Sequence, residues 1–161
     1  MCSSDLSKAG ARDGTLVVMT GGAWETHCAC LPVLEAIASR VIHVGPLGTA
    51  AVMKLIGNTL ISFMLEGLAE GATLGARAGI PLEKILEVVQ ASGFASPYWN
   101  FKGGAMARRD FDPHFTLNLL HKDQTLALAE GAWYRVPLPG LATIHRSEEH
   151  TSELQSPDHL V

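Results

Sequence analysis

Residues 49–78 read TAAVMKLIGNTLISFMLEGLAEGATLGARA and are rich in Ala, Leu, Met and Gly. The apolar residues predict one continuous helix, about 45 Å long at 1.5 Å per residue. Gly79 follows as a helix-terminating residue. The most apolar part of the region, residues 46–65, contains Lys54 and Asn58, which would be costly inside a lipid bilayer. We therefore expect a buried helix of a soluble protein and not a membrane span.

A strand, a helix and a second strand precede this long helix. Residues 15–19 (TLVVM) and 41–44 (VIHV) are short, apolar and rich in β-branched residues, which is typical of strands. Residues 25–39 have helical spacing, with Pro32 expected in the first turns. This order predicts a parallel strand–helix–strand crossover that is too small to form a domain alone.

More helices follow the long one. Helical patterns cover residues 81–91, 97–109 and 116–134, and a last helix is expected to start within residues 136–139. Gly103 and Gly104 weaken the second of these helices. The fold class is therefore mainly α: a sheet remnant, a long connecting helix and an all-helical domain.

Composition excludes several functional classes. Hydrophobic residues make up 47% of the chain and charged residues 17%, which argues against disorder. The formal net charge is −4, and the densest basic cluster is only Arg108–Arg109, so we expect no nucleic-acid partner. The N-terminus has no basic segment followed by an apolar run, so no signal peptide is expected.

The cysteines indicate neither a disulfide framework nor a metal site. The chain has Cys2, Cys28 and Cys30, and no second pair completes a metal-binding set with the last two. His27 lies beside them, but we expect Cys28 and Cys30 to be small buried residues. Few cysteines without visible pairing fit a cytoplasmic protein.

Both ends of the chain are expected to be non-native. Residues 146–150 (RSEEH) and 2–6 (CSSDL) can be encoded by opposite strands of one DNA segment, and that segment resembles a sequencing-library adapter. The tail from Arg146 is polar and lacks helical or strand periodicity. We therefore expect residues 1–6 and 146–161 to make few core contacts, and the natural protein to extend beyond this chain.

Lys54 and Asn58 are the clearest candidates for chemistry. They lie four residues apart, hence on one helix face, among apolar and small residues. A lysine in such surroundings loses hydration, which suits it to act as a general acid or base. The alternative is a lysine that reaches water from a helix edge. A second candidate is the segment 115–123 (FTLNLLHKD), for which ordinary surface charge on an amphipathic helix is the alternative.

Three ordered blocks carry a family resemblance. They are GPLGTAAVMKLIGN (45–58), LAEGATLGARAGI (68–80) and FDPHFTLNLLHKDQTLALA (111–129). Together they resemble the β-hydroxyacid dehydrogenases, which include 3-hydroxyisobutyrate dehydrogenases and tartronate, glyoxylate and succinic semialdehyde reductases. The resemblance covers roughly residues 7–145. It implies a Rossmann-like α/β domain joined by a long helix to an all-helical domain like the C-terminal part of 6-phosphogluconate dehydrogenase.

The resemblance also implies roles for individual residues. Lys54 matches the catalytic lysine, Asn58 a substrate-orienting asparagine, and Lys122 a lysine near the cofactor. Phe115 and Asp123 match positions that line the substrate pocket. The sequence departs from the family pattern at Ala50, where the family has glycine, and at Asp5–Leu6, where it has a Ser-Gly pair that grips the substrate. The GxGxxG turn that binds the dinucleotide pyrophosphate is absent from the sequence.

These observations lead to one functional prediction and one alternative. The prediction is a fragment, inactive by itself, of an NAD- or NADP-dependent oxidoreductase that transfers a hydride between the cofactor and a short hydroxyacid or its carbonyl partner. The segments are residues 7–45, from the cofactor-binding domain, and 46–145, the long helix with the helical domain. Expected partners are a small hydroxyacid or semialdehyde and further copies of the chain, without nucleic acid or membrane. The alternative is a non-catalytic helical interaction domain.

Overall fold

The computed structural model describes residues 2–3, 8–110 and 115–154, with side chains for residues 11–110 and 115–147. The described elements are β1 (Cys2–Ser3), α1 (Lys8–Asp13), β2 (Leu16–Gly21), α2 (Trp24–Glu35), β3 (Ala38–Gly45), α3 (Thr49–Arg77), α4 (Leu82–Ala91), α5 (Pro97–Ala107), α6 (Leu117–Trp133) and α7 (Pro139–Leu154).

The chain divides by contacts into two compact units. One contains the described residues up to Thr59 and those from Phe115 onward, and the other contains Leu60 to Asp110. This division cuts through α3 and groups α6 and α7 with the strands. The sequence predicts a domain boundary between residues 45 and 46, after the end of β3 and before the start of α3. The division by contacts does not test that boundary, which stays a prediction.

The parallel crossover that the sequence predicts is present. β2 and β3 pair in parallel, with Val18 opposite Val41 and Met19 opposite Ile42. α2 connects the two strands. Val18 and Met19 are only 4% and 5% exposed, because the middle of β2 faces the packed core of this unit. The prediction of a strand–helix–strand remnant is confirmed.

The N-terminal segment departs from our expectation. β1 pairs antiparallel with β2, placing Cys2 opposite Met19 and Ser3 opposite Val18. The expectation that residues 1–6 make few core contacts stays a prediction, but it did not include this pairing of two of them with a strand edge. A free strand edge presents unpaired N–H and C=O groups, so any extended segment nearby can pair with it, whatever its sequence.

Three details of α2 also differ from the prediction. The helix ends at Glu35, not at residue 39, because Ala38 already belongs to β3. Pro32 lies in its last turns rather than its first. Cys28, one turn earlier, is exposed, and Cys30 is half-buried, so the expectation that both are buried is wrong.

The long helix is continuous, as predicted, but it is not buried. α3 is unbroken from Thr49 to Arg77. Among the described residues it is the one helix long and apolar enough to cross a membrane, with a mean hydropathy of 1.3 over an 18-residue stretch. Only 17% of this apolar stretch is buried. Apolar composition does not reveal which faces of a helix are covered, and this helix leaves large apolar side chains exposed.

In the second unit, α4 and α5 pack through glycine. Gly103 is buried in α5, and a Cβ added there would overlap the Leu86 side chain of α4. Gly103, one of the two glycines that we expected to weaken α5, therefore permits close packing of α5 against α4. Trp99 fixes α5 further by donating from Nε1 to the Met64 carbonyl oxygen at 2.8 Å.

α7 extends further than the sequence indicates. It continues through Arg146 to Leu154, so the prediction of a tail without helical structure is wrong for residues 146–154. Leu141 and Ile144 are 1% and 5% exposed and fix α7 in the first unit. Once these side chains are packed, the hydrogen bonds of the helix propagate into a polar sequence. The side chains of residues 148–154 and all of residues 155–161 lie outside the described part of the chain, so the expectation that the tail makes few core contacts stays a prediction there.

Candidate active site

Lys54 and Asn58 lie on one face of the first turns of α3, and Asp123 lies in the second turn of α6. The Oδ2 atom of Asp123 accepts a hydrogen bond from Lys54 Nζ at 3.0 Å and another from Asn58 Nδ2 at 2.6 Å. Lys54 and Asn58 lie 69 and 65 positions before Asp123 in the chain, yet both contact the same oxygen atom of its side chain. All three belong to the same compact unit.

Lys122 completes a cluster of charged groups. Its Nζ lies 2.8 Å from Oδ1 of Asp123. The contact is an ion pair rather than an aligned hydrogen bond, since Oδ1 accepts no hydrogen bond from the described residues. Lys122 is 56% exposed, so its ammonium remains open to solvent. Asp123 is thus held between two cations, one on each carboxylate oxygen.

Asp123 is charged although it is buried. The side chain is only 2% exposed, and burial by itself raises the pKa of Asp123. The ammonium groups of Lys122 and Lys54 lower the pKa by more, so the pKa of this carboxyl lies below its ordinary value. The carboxylate is therefore ionised at neutral pH and attracts both cations.

The environment of Lys54 differs from the one that we expected. The sequence places it among apolar neighbours, but its ammonium lies against a buried carboxylate and its side chain is 24% exposed. The alternative of a lysine that merely reaches water does not fit this partner. The apolar neighbours in the sequence do not reveal this carboxylate, because Asp123 comes from a distant segment that helical spacing does not reach.

Phe115 is the one predicted site residue that no described contact joins to this cluster. It lies before α6 and is 45% exposed. Among the described residues, no hydrogen bond, ion pair or ring contact links it to Lys54, Asn58 or Asp123. Its assignment to the substrate pocket stays a prediction from the resemblance.

The sequence analysis missed a polar cluster at the carboxyl ends of β2 and β3. His27 is buried, and its Nδ1 lies 2.8 Å from the Thr20 hydroxyl. His43 donates from Nε2 to the Gly22 carbonyl oxygen at 2.9 Å. Trp24 contacts both imidazole rings, with centroids 4.9 and 5.3 Å away. No periodicity marks these residues, because strand ends and a helix start bring them together.

A small cavity of about 130 Å³ lies beside His27, between the end of β2 and the start of α2. Its lining includes Thr20, Thr26 and Cys30 and none of the Lys54 cluster. Ligand pockets typically measure about 300–1,000 Å³. The cavity is too small for a dinucleotide, and the chemistry of the Lys54 cluster is the stronger indication of a site.

Comparisons with known protein families agree with this geometry. Residues 48–159 match the model described as the NAD-binding domain of NADP-dependent 3-hydroxyisobutyrate dehydrogenase. Residues 7–45 match the model of the NAD-binding domain of 6-phosphogluconate dehydrogenase. The chain belongs to the 3-hydroxyisobutyrate dehydrogenase family. The first match contains all of α3 and α6, and hence Lys54, Asn58, Lys122 and Asp123.

Two relatives and one solved structure illustrate the range of this family. The chain is 32% identical to the cytokine-like nuclear factor N-PAC of Aedes aegypti, over 92% of the chain and 26% of that protein. It is 28% identical to glyoxylate/succinic semialdehyde reductase 1 of Arabidopsis thaliana, over 88% of the chain and 49% of that protein. The crystal structure of 3-hydroxyisobutyrate dehydrogenase from Salmonella typhimurium superposes with a TM-score of 0.82 at 27% identity, covering 91% of the chain and 52% of that protein. The chain thus spans between about a quarter and a half of the proteins it resembles.

Proposed function

We propose that this chain carries the catalytic lysine and the helical part of an NAD- or NADP-dependent oxidoreductase that acts on a short hydroxyacid or the corresponding aldehyde or ketone. One observation carries the proposal: Lys54 and Asn58 from α3 converge on Asp123 of α6. A solvent-reachable ammonium beside a buried carboxylate and an amide can move a proton to or from a substrate oxygen. The names of the relatives, a semialdehyde reductase and a hydroxyacid dehydrogenase, support this substrate class.

Lys54 would exchange the proton of the reaction. In the reducing direction its ammonium gives a proton to the oxygen of the carbonyl substrate, and in the oxidising direction its amine takes the proton of the alcohol. The nicotinamide ring, when bound, donates or accepts the hydride. Asn58 orients the substrate through its amide, because it lies one turn from Lys54 on the same face.

The described residues fit one end of such a cofactor. Lys122 offers an exposed cation next to Lys54, so it would hold an anionic group of the cofactor close to the reacting atoms. The sequence contains no GxGxxG turn for the pyrophosphate. We therefore expect this chain to bind the cofactor weakly unless further residues of the natural protein supply that turn. We also propose that the natural protein is cytoplasmic.

Substitution of Lys54 tests the proposal. In the natural full-length protein that contains this chain, Lys54→Ala should lower kcat by about 10²–10⁴, the usual effect of losing general acid–base catalysis. NADH and NADPH consumption would be measured with glyoxylate, succinic semialdehyde and other short carbonyl acids. Lys84→Ala is the matched control, since Lys84 is 59% exposed and its ion pair among the described residues is with Glu87 on the same helix. Parent-like turnover by Lys54→Ala would refute the proposal.

A second candidate function is interaction with another copy of the chain. On α3, the exposed face in the second unit contains Leu60, Phe63 and Leu74, which are 55%, 45% and 73% exposed. Gly67 and Gly71 lie between them, and a Cβ added at either would meet no atom within 4 Å. Small residues between large apolar ones permit close packing of two helices. A non-catalytic role also agrees with the name of one relative, which is a nuclear factor and not an enzyme. We propose that this face pairs with the same face of a second copy, without nucleic acid or membrane.

A further inference from the structure

The start of α3 lies directly against the end of β2. Gly21 is the last residue of β2, and Thr49 is the first residue of α3. A Cβ added at Gly21 would lie 2.8 Å from the Pro46 carbonyl oxygen and 3.1 Å from Thr49 Oγ1. These distances are too short for a side chain at residue 21, so the close approach of the helix to the strand requires glycine at this position.

Hydrogen bonds hold both sides of this contact. The carbonyl oxygen of Pro46 accepts from Thr49 Oγ1 at 2.7 Å and from the Thr49 N–H at 3.2 Å. On the strand side, the Gly22 N–H donates to the Gly45 carbonyl oxygen at 2.9 Å, and His43 Nε2 donates to the Gly22 carbonyl oxygen at 2.9 Å. The ends of β2 and β3 and the start of α3 are therefore tied together by backbone groups and two side chains.

We propose that Gly21 and Thr49 are positioning residues that fix the start of α3, and through it Lys54, at the carboxyl end of β2. This inference rests on the proposed function, in which Lys54 exchanges the substrate proton. Lys54 follows Thr49 on the same unbroken helix, about 7.5 Å further along its axis, so a movement of the helix start is carried to the lysine. Open parallel sheets bind ligands outside the carboxyl ends of their strands. The contact therefore sets the distance between Lys54 and the sheet edge where a cofactor would bind.

Gly21→Ala in the natural full-length protein tests this role. The atom nearest to the added Cβ is a backbone oxygen, which cannot rotate away, so the strand end or the helix start has to move. We expect kcat to fall by about 10- to 100-fold, since a misplacement of about 1 Å can cost about 10²-fold in rate. The KM values for cofactor and substrate should stay near those of the parent, because a contact that matters only in the transition state lowers kcat and kcat/KM together.

Gly131→Ala is the matched control for loss of stability. Gly131 is buried in α6, and a Cβ added there would lie 2.8 Å from the Leu138 side chain and 3.0 Å from the Val136 carbonyl oxygen. The substitution therefore creates a similar overlap away from the start of α3. Both glycine variants should unfold at a lower temperature than the parent. Only Gly21→Ala should lose turnover when kcat is measured well below the melting temperatures.

Two substitutions of Thr49 test the same contact without adding atoms. Thr49→Val keeps the size of the side chain but removes the hydrogen bond to Pro46, and should lower kcat by about 5-fold, the scale of one hydrogen bond. Thr49→Ser keeps the hydroxyl donor and should stay within about two-fold of the parent. This pair keeps the inference open to refutation if Gly21→Ala does not fold.

Parent-like turnover by folded Gly21→Ala would overturn the inference, as would an equal loss of kcat in Gly21→Ala and Gly131→Ala. If Gly21→Ala does not fold, equal kcat values for Thr49→Val and Thr49→Ser would overturn it. These outcomes are separate from the test of Lys54→Ala. If Lys54→Ala abolishes turnover while Gly21→Ala is fully active, the proposed function stands and the positioning role falls. If Lys54→Ala is fully active, the proposed function falls, and the inference falls with it.

Discussion

At the scale of single residues, Asp123 is the group on which the candidate site depends. Its carboxylate is nearly inaccessible, yet it accepts hydrogen bonds from Lys54 and Asn58 and pairs with Lys122. A buried charge is tolerated only when it is compensated, and removal of its partners leaves an expensive unpaired group. The protonation of this one carboxyl therefore couples the stability of the fold to the site.

The lowered pKa of Asp123 predicts how stability depends on pH. An ordinary aspartate has a pKa of about 4, and the pKa of Asp123 lies below that value in the folded chain. Its ion pairs therefore stabilise the fold fully above about pH 4, and this contribution is lost as the pH falls through the folded-state value. Thermal unfolding between pH 7 and pH 3 should show the melting temperatures of the parent and Asp123→Asn converging at low pH.

The control for this measurement is Asp13→Asn. Asp13 is exposed and pairs with its neighbour Arg12 at the surface, so its loss should change the melting temperature little at any pH. If the parent and Asp123→Asn differ by a constant amount from pH 7 to pH 3, the ionised state of Asp123 does not contribute to stability.

At the scale of elements, α3, α5 and α6 are each followed by a residue with a positive φ, but the type of that residue differs. After α5, the Asp110 N–H bonds the Ala105 carbonyl at 2.9 Å and the Arg109 N–H bonds the Met106 carbonyl at 3.0 Å. This is the Schellman arrangement, which requires a left-handed residue after the helix. That residue is Gly79 after α3, but Arg109 after α5 and Arg135 after α6, with φ of 81°, 55° and 58°. The sequence analysis found only the glycine.

Replacing these arginines with glycine should stabilise the chain. A side chain in the left-handed region destabilises the folded chain by about 1–2 kcal/mol, and replacement with glycine removes this cost. Glycine also gives the unfolded chain more conformational freedom, which lowers the free energy of unfolding by about 0.4–1 kcal/mol. Arg109→Gly and Arg135→Gly should each raise the free energy of unfolding by about 0.5–1 kcal/mol in urea denaturation. The matched control is Arg108→Gly, because Arg108 has the right-handed φ of −82° and should lose stability on replacement. Equal effects at residues 108 and 109 would show that the backbone angle is not the cause.

At the scale of the whole molecule, the exposed face of α3 is the feature that the chain does not cover itself. The side chains of Leu60, Phe63 and Leu74 are exposed to solvent. Only 17% of the apolar 18-residue stretch of this helix is buried. A continuous exposed apolar surface commonly marks an interaction site. Pairing of two copies would remove this surface from water.

Light scattering after size-exclusion chromatography tests this pairing. The parent should elute with about twice the 17.2 kDa mass of the single chain, and Phe63→Glu or Leu74→Glu should return it to the single-chain mass. Val33→Glu is the control, since Val33 is 70% exposed but lies on α2. A parent that runs as one chain would contradict the proposed interface, and binding of the parent to lipid vesicles would favour a membrane contact instead.

The amino-acid sequence alone determined what depends on local periodicity: the continuity of α3, the strand–helix–strand order of β2, α2 and β3, and the placing of Lys54 and Asn58 on one helix face. These features follow from residues a few positions apart. The tertiary structure alone decided which partner those two residues meet, because Asp123 is 65 or more positions away and only the packing of α6 on α3 brings it near. It also decided which face of α3 stays exposed, how far α7 continues past Arg146, and that β1 pairs with β2. Burial, strand-edge pairing and helix propagation depend on which surfaces are already covered, and a linear pattern does not contain that information.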